Sequence, residues 1–377
     1  MWYWMTWIVS SGYALLSIFL AFYLRKRHLF EHDFPSVSVI VAARNEEKHL
    51  TACLSSLSKL DYPKEKLQVT IVDDASSDKT NEIAGSFCRR FEHFNLIRVE
   101  AGQKQRPGKA GALIEGINKT DGELIFITDA DCRVPRTWIK RLVSCMDESI
   151  GVTGGITLLH KKDQSLPLMV KIQSCDWLYL LAVVAASAEM NLPLSWFGNN
   201  LVVRRKAYQQ TGGLEVMKHS LIEDFALIQG VAQKTSFDIK IDLHPDSVVK
   251  SFPPDRLRTF YEQRKRWSSE VSDIPLYGKI MMGVTLLGHV TLMVLLLAGQ
   301  WMLSLGLFAV ISLSDLLILV KSAHMINRLD LIKLFPGYKL LSIGYILGSP
   351  FILAFDRKVT WKDETFKSGS PQIKSRD

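Results

Sequence analysis

The chain has 377 residues, 47% of them hydrophobic, and its 46 lysines and arginines exceed 38 aspartates and glutamates to give a net charge of +8. That length holds one large domain or two ordinary ones, and the basic excess suits a nucleic acid, an anionic membrane surface or a phosphorylated substrate. The five cysteines (Cys53, Cys88, Cys132, Cys145, Cys175) are odd in number and lack C-x-x-C spacing, which argues against a disulfide framework and a zinc knuckle and favours reduced thiols on the cytoplasmic side.

Trp2 to Leu24 carries no charge and is long and apolar enough to span a bilayer. No basic residue precedes it, whereas Arg25-Lys26-Arg27-His28 follows at once; a cleaved secretory signal has the opposite arrangement. Residues 1–28 therefore read as a signal-anchor with Trp2, Trp4 and Trp7 at the outer interface, and residues 29–275 as a cytoplasmic domain.

Within that domain, strand-like runs alternate with helical patterns, the signature of a parallel sheet with crossover helices. Val37 to Ala42 is β-branched and apolar, and Leu50, Cys53, Leu54 and Leu57 then recur at helical spacing. Leu67 to Val72 is a second strand, ending in Asp73-Asp74, after which Asp78 caps a helix carrying Ile83, Phe87 and Phe91. Leu96 to Val99 is a third, and Gly108-Lys109-Ala110-Gly111 opens the next helix. Leu124 to Thr128 ends in Asp129-Ala130-Asp131. Alternation points both carboxylates the same way, so that both face one hard cation; a solvated strand-end turn is the plain alternative.

In open parallel sheets, ligands sit outside the carboxyl ends of the strands. Three such ends are polar here: Ala43-Arg44-Asn45-Glu46, Asp73-Asp74 and Asp129-Ala130-Asp131. Together they build one crevice, a convergence that turn chemistry explains poorly. No G-x-x-x-x-G-K-[ST] loop is present and no G-x-G-x-x-G follows the first strand, which argues against an NTPase and a dinucleotide enzyme.

Farther along, Leu166 to Met190 is largely apolar and reads as a core helix or as an interfacial helix under the membrane. Gly198-Asn199-Asn200 binds hydroxyls or shapes a turn, and a lone His244 is more often structural than a ligand. Gln263-Arg264-Lys265-Arg266-Trp267 has a plain reading as an amphipathic juxtamembrane helix. Met281 to Gln300 and Trp301 to Val320 form a membrane hairpin, and Lys321, His324, Arg328, Lys333 and Lys339 return the chain to the cytoplasm. Leu340 to Phe355 is interrupted by Gly348-Ser349-Pro350, and a full crossing would place the basic tail (residues 356–377) outside. A re-entrant or interfacial pair of half-helices is therefore expected to close the 276–355 region.

Over residues 36–270 these motifs resemble the inverting glycosyltransferases of family 2. The match rests on Ser38 to Glu46, on Val72-Asp73-Asp74-Ala75-Ser76, on Lys109, and on Asp129-Ala130-Asp131 as D-x-D. It rests also on Ile222-Glu223-Asp224 as the E-D element, with Ile where Thr is usual, and on Q-x-x-R-W at all three fixed positions. That pentapeptide characterises cellulose, chitin and hyaluronan synthases and ceramide glucosyltransferases. The resemblance implies an α/β GT-A (Rossmann-like) domain between an N-terminal anchor and C-terminal transmembrane helices. It implies a UDP-sugar donor, with Mg²⁺ or Mn²⁺ on Asp129 and Asp131. Donor contacts fall on Ala43, Asn45, Glu46, Asp73, Asp74, Lys109, Asp129 and Arg266. Asp224, beside Glu223, is the catalytic base, and Asn199, Asn200, Gln263 and Trp267 meet the acceptor.

The implied location is the bacterial inner membrane, with the catalytic domain cytoplasmic. One anchor, one hairpin and a broken apolar segment are a modest set for threading a polymer, so the expected acceptor is a membrane lipid. A polysaccharide synthase, processive or partner-assisted, is the alternative enzyme. A non-catalytic membrane scaffold is the alternative of another class, and against it stand the retained D-x-D and base. No nucleic-acid partner is expected, because the basic residues concentrate beside the membrane segments.

Overall fold

The computed structural model describes residues 2–30, 33–100, 104, 106–160, 166–195, 198–217, 222–253, 257–268, 271–355, 358–361 and 364–367. After an N-terminal helix, α1 (Trp2–Tyr23), strands and helices alternate: β1 (Val37–Ala43), α2 (Leu50–Leu57), β2 (Leu67–Asp74), α3 (Thr80–Arg90), β3 (Phe94–Val99), α4 (Gly108–Asn118) and β4 (Leu124–Asp129). Next come β5 (Cys132–Arg133), α5 (Trp138–Val143), β6 (Ile150–Gly154), β7 (Thr157–Leu159) and a long helix, α6 (Leu168–Glu189). The domain is completed by β8 (Leu201–Arg204), α7 (Arg205–Thr211), α8 (Gly213–Val216), α9 (Glu223–Lys234), β9 (Asp238–Ile241), β10 (Val249–Ser251) and α10 (Leu257–Ser268). Helices α11 (Leu276–Leu297), α12 (Trp301–Met325) and α13 (Phe335–Phe355) follow, then a hairpin of β11 (Lys358–Trp361) and β12 (Glu364–Lys367).

Among the described residues, seven strands form one sheet in the order β3-β2-β1-β4-β8-β6-β9. All neighbours pair in parallel except β8, which runs against both β4 and β6. The chain winds from β1 outward to β3 and then returns to β4 on the other side of β1. Loops diverge at that reversal and open a crevice at the strands' carboxyl ends. Both faces of the sheet are covered: Val39 and Val41 pack into one core, whereas Ile40 between them packs into the other. That is why β1 reads as a continuous apolar run rather than an alternating one. A smaller sheet, β5-β10-β7, pairs Ser251 with Cys132 and so carries Ser251 to the end of D-x-D.

Among the described residues, four helices are long and apolar enough to cross a membrane: α1, α6, α11 and α12. Gly299, at φ 70°, turns the chain between α11 and α12, a conformation open to glycine without steric penalty. Helix α6 packs on β7 and β9 of the sheet domain and also on α1, α12 and α13, so it is the beam between the sheet and the apolar helices.

Two expectations for the C-terminal region need correction. Helix α13 is continuous over Phe335–Phe355, not a pair of half-helices. Pro350 removes the N–H that would bond the Ile346 carbonyl, but the Ser349 hydroxyl donates to that oxygen at 3.1 Å and keeps it satisfied. Lys339, expected among the basic residues that return the chain to the cytoplasm, is not a free flanking charge: it is 3% exposed and pairs with Asp315 at 2.5 Å. The basic tail's expected course lies largely outside the described residues, apart from its β11–β12 backbone beside α10.

Candidate active site

The ends of β1, β2 and β4, the start of α9 and the last turns of α10 surround one cavity of about 690 Å³. That volume accommodates a small-molecule ligand of nucleotide-sugar size. Its floor is rigid because the loops after β1 and β2 are stapled together. The Ser76 hydroxyl accepts from the Asn45 N–H at 3.0 Å, the Thr80 hydroxyl from the Glu46 N–H at 2.7 Å, and Asn45 Oδ1 from the Ser77 N–H at 2.9 Å.

Ala43, Glu46, Asp74, Lys109, Asp129 and Asp131 line one side of the cavity. Asp74 pairs with Lys104 at 2.7 Å, and Arg44 stands 3.8 Å from the same carboxylate. Lys109 bridges two carboxylates, Asp129 at 2.7 Å and Glu223 at 2.8 Å, and so ties the D-x-D strand to α9. Those two anions hold the Lys109 ammonium charged, raising its pKa despite the opposing pull of burial. Asp131 faces the Ser251 hydroxyl at 3.4 Å. Two carboxylates on one wall are hard oxygen donors of the kind Mg²⁺ and Mn²⁺ take. Among the described residues no third His, Cys, Asp or Glu joins them, and a Mg²⁺-like ion held by one or two carboxylates fills its remaining positions with phosphate oxygens and water.

Across the cavity, Asp224 sits in the first turn of α9 with Oδ2 accepting the Gly198 N–H and Oδ1 accepting the Phe225 N–H. A Cβ on Gly198 would lie 3.0 Å from the Asp224 side chain, so a larger residue there would require that carboxylate to shift by a few tenths of an ångström. Burial, then the neighbouring Glu223 charge, push the Asp224 carboxyl up to about 7, against the opposing pull of Lys109, the Gly198 N–H and Arg266. A carboxylate poised near neutrality in a cleft suits proton transfer.

Helix α10 contributes Gln263, Arg266 and Trp267 to the same cavity. Among the described residues the Gln263 Oε1 is buried without a hydrogen-bond partner, an acceptor waiting for a donor. Asn199 also lines the wall, its Oδ1 accepting from the Thr157 hydroxyl and its carbonyl from the Thr128 hydroxyl.

Three expected site residues lie elsewhere and are corrected. Asn200 is fully buried, its amide donating to the Ile156 and Ser247 carbonyls and accepting from the Trp138 indole, so it holds strands together rather than meeting an acceptor. Asp73 is also fully buried, accepting from the Ser76 N–H and from Asn81; adjacent strand residues face opposite ways, and only Asp74 faces the cavity. Asn45, at φ 55°, is exposed on the loop and spends its side chain on Ser77. His244 lies outside the cavity lining and accepts from the Asp246 N–H. Sequence reading placed Arg44 at a crevice-forming strand end but missed Lys104 as the partner of Asp74. It also missed Trp177, His49 and Phe252 on the wall, whose motif-free settings carry no signal.

The family description "Glycosyl transferase family 2" matches residues 38–178, and "Glycosyl transferase family group 2" matches residues 124–347, more than half of the chain. The chain is 26% identical over 264 residues to a beta-monoglucosyldiacylglycerol synthase of Trichormus variabilis, covering 65% of this chain and 52% of that enzyme. It is 24% identical over 267 residues to a poly-beta-1,6-N-acetyl-D-glucosamine synthase of Staphylococcus epidermidis, covering 70% and 61%. It thus spans little more than half the length of these curated relatives. Among solved structures it resembles a mannosyltransferase from Pyrobaculum calidifontis, in complex with GDP-Man and Mn²⁺, at a TM-score of 0.60 and 18% identity over 95% of this chain and all of that one. That likeness shows the GT-A fold, and four helices fit for a bilayer mark a membrane protein. The chain belongs to glycosyltransferase family 2.

Proposed function

We propose that this protein is an inverting glycosyltransferase that moves a sugar from a UDP-sugar to a hydroxyl of a membrane lipid, working from the cytoplasmic side of a bacterial inner membrane. The observation that carries the reading is the Asp224 carboxyl, raised to about 7 and facing D-x-D across one cavity. The acceptor oxygen attacks the anomeric carbon, its proton passes to Asp224, and the bond to the diphosphate breaks on the opposite face, inverting the centre. Arg266 offers a planar fork to the diphosphate. Lys109 keeps Asp129 and Glu223 from repelling the donor and restrains the pKa of Asp224. Asp129 and Asp131 would hold the Mg²⁺ or Mn²⁺, whose charge offsets that of the departing diphosphate when it is bound.

The lipid acceptor is supported by the architecture around the cavity. Trp177 and Trp267 line it, and Trp177 belongs to α6, which also packs against the apolar helices. The activity named for the Trichormus relative makes diacylglycerol the first acceptor to test. The experiment supplies radiolabelled UDP-glucose, UDP-galactose, UDP-N-acetylglucosamine or GDP-mannose to membranes containing the protein, with and without a chelator. Label in solvent-extractable lipid, lost on chelation, is expected. Label in a large polymer would replace the lipid reading with the polysaccharide one, and no metal-dependent transfer from any donor would overturn both.

A further inference from the structure

Trp177 lies outside every motif that pointed to the site, yet its indole stands on the cavity wall beside Trp267, with ring centroids 5.9 Å apart and planes tilted by 50°. Behind the cavity the wall is backed by a buried apolar cluster of Leu159, Val170 and Trp177, with Leu166 and Trp267 packed against it. The facing side carries Arg44, Asp74, Lys109, Asp129 and Asp131. A charged wall suits a nucleoside diphosphate, whereas an aromatic wall backed by aliphatic side chains suits an acceptor with an apolar body.

Behind the two rings lies an ion pair that the chemistry does not use. Asp176, next to Trp177, pairs with Arg264, three residues before Trp267, and the two are 6% and 3% exposed. The Arg264 guanidinium also lies over the rings of Phe260, Trp267 and Tyr345, at 5.1, 4.7 and 5.2 Å from their centroids. A buried ion pair is weak as a source of stability, because desolvation offsets much of its attraction. The buried contact of Arg264 Nη2 with Asp176 Oδ2 and the three rings around the guanidinium nevertheless constrain geometry, so the pair fixes where α6 and α10 stand relative to each other. One end of the pair is chain neighbour to Trp177, and the other sits one helical turn from Trp267. Two residues beyond Trp177, the Tyr179 hydroxyl donates to Asp315 and ties the same stretch of α6 to α12.

We infer that Trp177 contacts the acceptor, forming with Trp267 a two-ring wall for the glycerol backbone and first acyl carbons of a diacylglycerol-like lipid, and that the Asp176–Arg264 pair positions this wall. The inference rests on the lipid-acceptor reading above. Its test uses the full chain in detergent micelles, with diacylglycerol as acceptor and UDP-glucose, or whichever nucleotide sugar the donor panel identifies. Trp177→Ala is expected to raise the KM for diacylglycerol about tenfold while the donor KM stays within about twofold of wild type. Should that variant fail to fold, Trp177→Leu keeps the bulk without the π face and reads the same split. Asp176→Asn combined with Arg264→Gln removes the pair without orphaning a charge, and is expected to raise the acceptor KM several-fold with the donor KM unmoved. An unchanged acceptor KM, or a parallel rise in both constants, overturns the wall in the Trp177 variants and the positioning role in the double variant. Wild-type protein that labels no lipid defeats the parent reading, and the wall falls with it.

Discussion

Asp315 in the apolar bundle and Asp224 in the cavity are both buried carboxylates, but their surroundings differ. Asp315 is enclosed by donors: Tyr13 and Tyr179 each donate to Oδ1 at 2.8 Å, and Lys339 meets Oδ2 at 2.5 Å. Those partners come from α1, α6 and α13, so the node joins four helices through one side chain. Asp224 instead keeps company with Glu223, receives two backbone N–H groups, and opens on a cavity. Burial alone therefore does not mark a reactive group. A saturated charge fastens helices, whereas one left partly uncompensated beside a ligand space is available for proton transfer.

The difference can be broken from either side. The largest effect is expected at Asp224→Asn, which removes a positioned base and should cut kcat by about 10²–10⁴-fold, with UDP-sugar binding by calorimetry preserved. Asp315→Asn leaves Lys339 buried without its counter-charge and should cost about 3–5 kcal/mol of stability. The expected signature is a lower melting temperature in detergent with the donor KM of the surviving fraction unmoved. Lys109→Met sharpens the comparison, since it strips from Asp224 the cation that lowers its pKa. The acid limb of the kcat/KM profile should move above pH 7, whereas it would stay in place were Lys109 only a phosphate contact. Ser349→Ala, which removes the hydroxyl serving the Ile346 carbonyl, should cost less than about 1.5 kcal/mol by the same melting measurement.

Much of the sheet domain was readable from the sequence because its physics is local. β1, β2 and β4 are apolar runs ending in carboxylates, and their parallel pairing places those ends together. The positions that escaped depend on partners distant in the chain. Asp73 and Asp74 are chemically identical in the sequence, and only the Asn81 amide and the Lys104 ammonium separate a loop-bracing group from a cavity-facing one. Asn199 and Asn200 divide likewise, because the Trp138 indole and two carbonyls claim the second amide entirely. Lys339 read as one of the basic residues returning the chain to the cytoplasm because its partner, Asp315, lies on another helix. Pro350 looked like a helix break because a serine's service to the vacated carbonyl leaves no periodic trace.

The account depends most on Asp224 as the group that accepts the acceptor's proton, and the pH dependence of kcat/KM for wild type and Asp224→Asn tests it directly. Because its carboxyl is raised to about 7 and works deprotonated, the wild-type rate should fall as pH drops through that value and level off above it. The variant should be slower throughout and lack this limb. A variant that kept both the wild-type rate and the wild-type limb would show that the proton goes elsewhere.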